Sequence, residues 1–544
     1  MTLDVETRSM IIDTIRAIQR EHLTRDRVLS LDDKSEFPLE LLRELLSERV
    51  GLQLIFIPSE YGGLGGGAVD IFQVSVELAK ICLGVATSFL AIHLGAEPIL
   101  LAGTEAQKQT WLGKIASEGL IMAYAVTEAD AGSNLEALKT KAEPVVENGK
   151  LTGYLLKGSK QFISNGGYAD VLTVLAKAPE GPTFFIVPGD STGLQRGNPE
   201  HKHGIRASNT APLIFDNVFV PAENIVGGVP GQGIKQSNAV FAYTRLMVAA
   251  FGYAAGIAAL EKAGRFARER IQFGTPLIEK EGYVNKLFVR HLARLEAVRI
   301  YIERIVCQID AGSTDIMVEG SIAKYLATEF GNSAAEAAIQ AMGGYGYMHE
   351  YEVEKIKRDV RITMIYEGTN EIQQNIIYLY RWKNTVRSKG AFYNQIASDL
   401  RAISTQRDWQ EATYAETILR LVNDLILFAH ENSLTKSQHV QFLLSDMIAY
   451  TEIVANVVME LAQSDETSSQ LFAYRRACLR VYLTEVAQRV VQNGLEIVLG
   501  SPDVAPELKS TWLNRLNSEK IQQVSLNIFP TMHKIITSFN NSLT

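Results

Sequence analysis

The sequence predicts an α+β chain in which helices come first, a compact antiparallel β block follows, and helices return to the end. Three observations carry that prediction. Apolar residues recur at helical spacing up to about residue 120. Between about 121 and 228 the pattern shifts to short β-branched and aromatic runs punctuated by Gly, Asn and Pro. From about 231 the helical period returns and holds to the last residues, more chain than one further domain needs. Four domains are expected: 1–120 helical, 121–230 β, 231–385 a helical bundle, and 386–544 an extra helical block.

In the first block, Ile11, Ile15 and Ile18 recur beside Met10, and Leu41, Leu42, Leu45 and Leu46 repeat the pattern. The loop YGGLGGGAVD (61–70) then follows an apolar run, LQLIFIP. A dinucleotide-binding turn also follows a strand and opens a helix, but it needs a second strand ending in Asp or Glu about 20 residues on. Here the pattern stays helical, which favours a plain glycine-rich turn. In the β block, Asn148-Gly149 is a hairpin signal because both residues tolerate positive φ. Ser164-Asn165-Gly166-Gly167 is a second turn. Past 231, GRFARERIQFG and two longer segments read as amphipathic helices, and the small residues of 334–344 predict close helix packing. Ile418, Leu421, Leu425 and Phe428 form one stripe of the last block, and Met447, Val454, Val458 and Leu461 another.

Composition narrows the function classes. The net charge is −8, from 53 basic and 61 acidic residues mixed along the chain, with no basic face for nucleic acid. Cys82, Cys307 and Cys478 lie far apart without CxxC spacing, which suits a reducing compartment and core packing. His349-Glu350 opens a string like HExxH, but position 353 is Val, so no metal site is expected. The N-terminus lacks the pattern of a signal peptide, and no apolar run approaches the roughly 18 residues that span a bilayer. Residues 385–411 lack a basic amphipathic stripe, so membrane association has weak support. A bacterial cytoplasmic location is expected, or the mitochondrial matrix for a processed organelle form.

Chemistry points first to RDVRITMIYEGTNEIQQ (358–374), where a lone carboxylate, Glu367, stands between an apolar triplet and a helix start. A carboxylate near a helix N-terminus is ordinarily a surface residue favoured by the dipole. Against that reading, Met364, Ile365 and Tyr366 predict a buried approach, Gly368 leaves room for a ligand, and Thr369 is placed to N-cap the next helix. That arrangement suits a general base. YAVTEADAGSNLEA (124–137) ends a strand with Thr127, Gly132 and Ser133, which suits either a plain polar loop or a heterocycle or phosphate contact. Arg268, Glu269 and Arg270 lead into Phe273 and Gly274, either as a charged helix face or as a pyrophosphate grip.

Taken together, YAVTEADAGSN, QFISNGG, RIQFG, IQAMGGYGY and MIYEGTNEI resemble the flavin-binding and catalytic motifs of acyl-CoA dehydrogenases. The resemblance runs to about residue 385. HGIRASNTAPLIFDNVFVPAENIVG (203–227) and the extra C-terminal block look most like the very-long-chain branch. The resemblance implies FAD and oxidation of an acyl-CoA to the trans-2-enoyl-CoA, with electrons passed to an electron-transfer flavoprotein. It makes Glu367 the catalytic base, since the alternative helix position of some members is Thr244 here. It assigns the flavin to Tyr124, Val126, Thr127, Gly132, Ser133, Phe162, Ile163 and Ser164. It assigns the flavin's far half to Arg270, Phe273, Gln340, Gly343 and Gly344, and makes Thr369 and Glu371 further cofactor contacts. Ser133, Thr244, Arg245 and Gly368 would touch substrate. Gln340, Gly343 and Gly344 would reach a neighbouring subunit's cofactor, and a homodimer is expected.

Two departures stand out. Phe162 replaces the usual Trp, and Lys280-Glu281 occupies a place where relatives often carry a cofactor contact. Small residues at Gly95 and Ala96 predict room for a long acyl chain. An acyl-CoA oxidase using oxygen, or a scaffold protein docking through 386–544, are the competing functions.

Overall fold

The structure is a computed structural model that describes residues 2–464 and 467–543, with the side chain of residue 242 left aside. It divides into two compact units. The first comprises Met1–Ala255, Val306–Ile316 and Lys355–Gly368, and the second Gly256–Ile305, Met317–Glu354 and Thr369–Thr544.

The first unit begins with the helix Val5–His22, N-capped by Asp4, whose carboxylate accepts from the Thr7 N–H. LQLIF is not a strand. It forms a 3-10 helix, Leu52–Phe56, which removes the dinucleotide-binding reading of the loop that follows. The glycines there serve packing: a Cβ on Gly63 would lie 1.8 Å from the Ile57 carbonyl oxygen. Gly67 is crowded by Asp310, whose carboxylate accepts from the Ala68 and Val69 N–H groups at 2.7 and 3.0 Å. Asp310 thereby satisfies two orphan donors at the start of helix Ala68–Ile81. Leu83–Ala102 follows as a buried helix.

The sheet contains β1 (Met122–Ala125), β2 (Lys141–Glu147), β3 (Lys150–Ser164), β4 (Val171–Ala178), β5 (Gly181–Pro188), β6 (Leu194–Arg196) and β7 (Thr210–Pro221). The predicted turn joins β2 to β3 with Asn148 at φ 52° and Gly149 at φ 78°. The expectation of a purely antiparallel block needs correction, because the sheet is mixed. β1 runs parallel to β4, and β2 meets the same edge of β4 in parallel at Lys141 and Lys177. The chain reaches β4 from β1 only after the β2–β3 hairpin, a crossover that restores the original strand sense. Tyr154, Leu156, Leu172, Val174, Phe185 and Phe215 fill the core behind it.

The second unit is helical. Met317–Met342 buries Ala334, Ala335, Ala338 and Ala341, and Gly256 approaches the Gly331 backbone, as the small residues predicted. Both stripes of the C-terminal block are buried. RIQFG corrects the helical reading of that segment: the helix ends at Glu269, and Ile271–Gln272 pairs with Thr275–Pro276 as a hairpin. Phe273 at φ 50° and Gly274 at φ 82° form its turn.

Cys82 and Cys478 are buried, but Cys307 is exposed rather than part of a core. The expectation about apolar runs also changes. Leu83–Ala102, Gly233–Glu269 and Gln438–Gln463 are long and apolar enough to cross a membrane, although 72 to 78% of each apolar window is buried inside the protein.

Candidate active site

Glu367 lies at the end of the first unit, and its backbone is unusual. Its φ is 56°, and Gly368 follows at 83°. A glutamate in the left-handed region is uncommon and costs about 1–3 kcal/mol, a strain that tends to persist at functional sites. Two left-handed residues in succession turn the chain from the 3-10 turn Arg361–Met364 into the helix Asn370–Arg387. The Thr244 hydroxyl, on helix Gly233–Glu269, donates to Glu367 Oε2 at 2.8 Å. Thr244 and Arg245 are both buried. Burial pulls the Arg245 guanidinium down to about 10, against the opposing charge of Glu367, and it stays cationic at neutral pH.

Two phenols complete the surroundings. Burial raises Tyr124 well above its ordinary value; the nearby Ser237 side chain opposes the rise, and the charges of Glu367 and Glu97 add to it. Tyr366 is raised in the same way by burial, opposed by the nearby Thr87 side chain and assisted by Glu367. The predicted buried approach is only partly present. Met364 and Tyr366 are half-buried, and Ile365 is 47% exposed because the 3-10 turn faces it outward. Thr369 holds the N-cap position but makes no side-chain cap bond. Glu371, in that first turn, is exposed.

The same unit gathers the other first-unit residues at the strand ends. β1 leaves its ladder after Ala125, so Val126 and Thr127 continue beyond the sheet pairing. On β3 the register shifts between Lys160 and Ile163, and Phe162 takes φ 60°. Such a bulge re-aims a side chain, and here it turns the Phe162 ring outward to 57% exposure. Ile163 is buried and Ser164 half-buried, while Gly132 and Ser133 are exposed. An exposed aromatic face on a strand that also carries the half-buried Ser164 hydroxyl suits a flat heterocycle with a polar edge.

Beneath these residues is a pair that motif reading missed. Lys160 Nζ donates to Glu128 Oε1 at 2.7 Å and to the Val126 carbonyl at 2.9 Å. Burial lowers Lys160 to about 8 despite Glu128. Burial works to raise Glu128, but hydrogen bonds from Lys160 and Thr140 outweigh it and hold the carboxyl below its usual range. The signal was present in the sequence: Lys160 stands in phase with the inward-facing Tyr154 and Leu156 of the same strand.

The second unit holds the remaining candidates. A surface cleft of about 400 Å³ is lined by Arg270, Gln340, Gly343, Gly344, Tyr345 and their neighbours. The Arg270 guanidinium lies 5.6 Å from the centre of the Tyr345 ring. A Cβ on Gly343 or Gly344 would meet nothing within 4 Å, and Phe273 is 97% exposed.

Comparison with known proteins identifies the family. Residues 5–119, 123–218 and 231–379 match the acyl-CoA dehydrogenase N-terminal, middle and C-terminal domains. An acyl-CoA dehydrogenase of Bacillus subtilis (strain 168) is 38% identical over 357 residues, 64% of this chain and 91% of that protein. A cyclohex-1-ene-1-carbonyl-CoA dehydrogenase of Geobacter metallireducens is 34% identical over 377 residues, 68% of this chain and 97% of that protein. The crystal structure of an acyl-CoA dehydrogenase complexed with FAD from Bacillus anthracis shares the fold at a TM-score of 0.87 and 23% identity. It covers 100% of this chain and 96% of its own, so the C-terminal helices have a structural counterpart. The chain belongs to the acyl-CoA dehydrogenase family.

Proposed function

We propose that the protein is an FAD-dependent dehydrogenase that converts an acyl-CoA to the trans-2-enoyl-CoA and passes the electrons to an electron-transfer flavoprotein. The observation that carries this reading is Glu367, held in a left-handed conformation with a hydroxyl donor on its carboxylate. Glu367 removes the proton from the carbon next to the thioester carbonyl. FAD, held by the residues named below, would supply the acceptor for the hydride leaving the neighbouring carbon. Thr244 fixes the rotamer of the base, and buried Arg245 supplies positive charge beside it. We assign Gly368 and Ser133 to contacts with the acyl-CoA.

The residues fit the cofactor. Phe162 offers an exposed ring face, and we assign Tyr124, Val126, Thr127, Ile163 and Ser164, on β1 and β3 and just past the end of β1, and Gly132 and Ser133 of the loop that follows, to the same ring. Arg270 and Phe273, with Gln340, Gly343 and Gly344 at the second unit's cleft, suit the pyrophosphate and adenine half. Thr369 and Glu371 start the helix after the base. We assign Gln340, Gly343 and Gly344 to the cofactor of a second copy, and the protein to a homodimer.

The finer reading, a long-chain enzyme of the very-long-chain type, is supported by the C-terminal helical block. Its residue-level support weakens at Gly95, where a Cβ would lie 2.7 Å from Met122 Cβ. That glycine serves helix-on-strand contact. The test is anaerobic addition of palmitoyl-CoA, and of butyryl-CoA in parallel, to the yellow protein. Bleaching of the visible flavin band is expected. Glu367→Gln should retain flavin and lose turnover by about a thousandfold, and substantial remaining turnover would sink the assignment. Fast hydrogen peroxide formation in air would move the protein to the oxidases.

A further inference from the structure

We propose that the buried Lys160–Glu128 pair is a positioning clamp that holds the two flavin-facing segments, 126–128 and 160–164, in register. The inference rests on the FAD reading above and concerns residues that no motif of the family resemblance assigned.

Lys160 is 1% exposed and Glu128 7%. Three bonds stitch one segment to the other: Lys160 Nζ to the Val126 carbonyl at 2.9 Å, Lys160 Nζ to Glu128 at 2.7 Å, and the Gln161 N–H to the Thr127 carbonyl at 2.9 Å. The carboxylate is itself braced, accepting from the Lys139 N–H at 2.7 Å and the Thr140 N–H at 3.1 Å. The residues proposed to edge the flavin ring on these two segments either belong to this network or lie within three residues of it. Val126 and Thr127 carry the accepting carbonyls. Phe162 and Ser164 lie just past Lys160, beyond the bulge.

Stability alone is a poor reason for the pair. Desolvating two charges offsets most of their attraction, and apolar side chains of similar volume commonly serve a core as well or better. Directionality distinguishes the charged solution, because an ammonium can bind a carbonyl and a carboxylate at once in fixed geometry. β3 also needs such a tie. Its ladder to β7 is interrupted between Lys160 and Ile163, so the segment that turns Phe162 outward has no strand pairing of its own there. Lys160 anchors the near side of that gap to the end of β1. The network sits behind Phe162, remote in role from the base, so its loss acts on flavin binding before it acts on proton removal.

The experiment compares the holoenzyme with Lys160→Met and with the double variant Lys160→Met/Glu128→Gln, which leaves no unpaired buried charge. FAD release on dilution is read from flavin fluorescence, and the fold from near-ultraviolet circular dichroism. A clamp predicts that both variants fold and release FAD at least about tenfold more readily. It also predicts an altered visible flavin band and a KM for acyl-CoA close to that of the parent. Lys160→Arg, which keeps the charge, should recover part of the affinity. Parent-like FAD affinity in either folded variant overturns the clamp. So does a double variant that fails to fold, since the pair would then be a condition of folding. A parent protein that neither holds FAD nor bleaches with any thioester would instead overturn the functional reading.

Discussion

At Glu367 the backbone is held in a strained conformation that presents one carboxylate, and a hydroxyl 123 positions earlier in sequence donates to it. Thr244 and Glu367 are 2.8 Å apart. A hydrogen bond to a charged partner contributes about 1.5–3 kcal/mol, so Thr244→Val should lower kcat/KM by about tenfold or more while flavin content and melting temperature stay near the parent values. Steady-state kinetics with a thioester that bleaches the flavin would check it. An unchanged kcat/KM would mean that the rotamer of Glu367 is fixed by its backbone alone. The motif around Glu367 was legible because chemistry, glycine and helix start fall within a few residues. Its donor was not, since no sequence period links residues on different elements. Lys160 lies between the two cases: its inward phase on β3 was visible, but its partner Glu128 could be named only once the strand ends were seen side by side.

The element scale explains both the successes and the misses of pattern reading. Helical periodicity located Leu83–Ala102 and Gly233–Glu269, and Asn-Gly located the β2–β3 turn, because each signal is local. The parallel β1–β4 pairing is non-local and left no trace in alternation. LQLIF has the composition of a strand, yet it coils as a 3-10 turn under the glycine loop that packs on Ile57. Gly95 shows how a small residue can be assigned to the wrong cause. Its carbonyl accepts from the Thr173 hydroxyl at 3.0 Å, and a Cβ would meet Met122 and the Ala123 nitrogen at 2.7 and 2.9 Å. Gly95→Ala should therefore cost about 1–3 kcal/mol by overpacking, read as a lower denaturant midpoint, without changing the preference between palmitoyl-CoA and butyryl-CoA. Were the glycine there to admit the acyl chain, the methyl group would act on specificity instead, shifting that preference by about tenfold at intact stability.

For the whole molecule, the question is whether 386–544 is an appendage or part of the enzyme. The family's three domain matches end at residue 379, which invites the view that the rest is separable. Contacts within the second unit argue otherwise. Arg381 pairs with Glu452 at 2.7 Å, and the same carboxylate accepts from the Tyr393 hydroxyl at 2.7 Å, all three residues being buried. Arg294 binds Glu485 at 2.8 Å, and the Tyr325 hydroxyl donates to Asp446 at 2.6 Å. Phe330 packs edge-on against Tyr450 and Tyr482, and Gly264 lies where a Cβ would strike Phe539. Ending the chain at 385 would strip partners from Arg381, Arg294 and Tyr325 together and expose the ring cluster. Breaking one buried ion pair from one side already costs about 3–5 kcal/mol, a large share of the roughly 5–15 kcal/mol that separates folded from unfolded domains. A 1–385 chain should therefore lack a cooperative thermal transition and retain no flavin, as circular dichroism and visible absorbance would show. A soluble 1–385 protein that turns over thioesters at the parent rate would make the block a detachable docking module and revive the scaffold reading. Loss of the fold instead makes the C-terminal helices a structural requirement of the helical unit that carries the second half of the proposed flavin site.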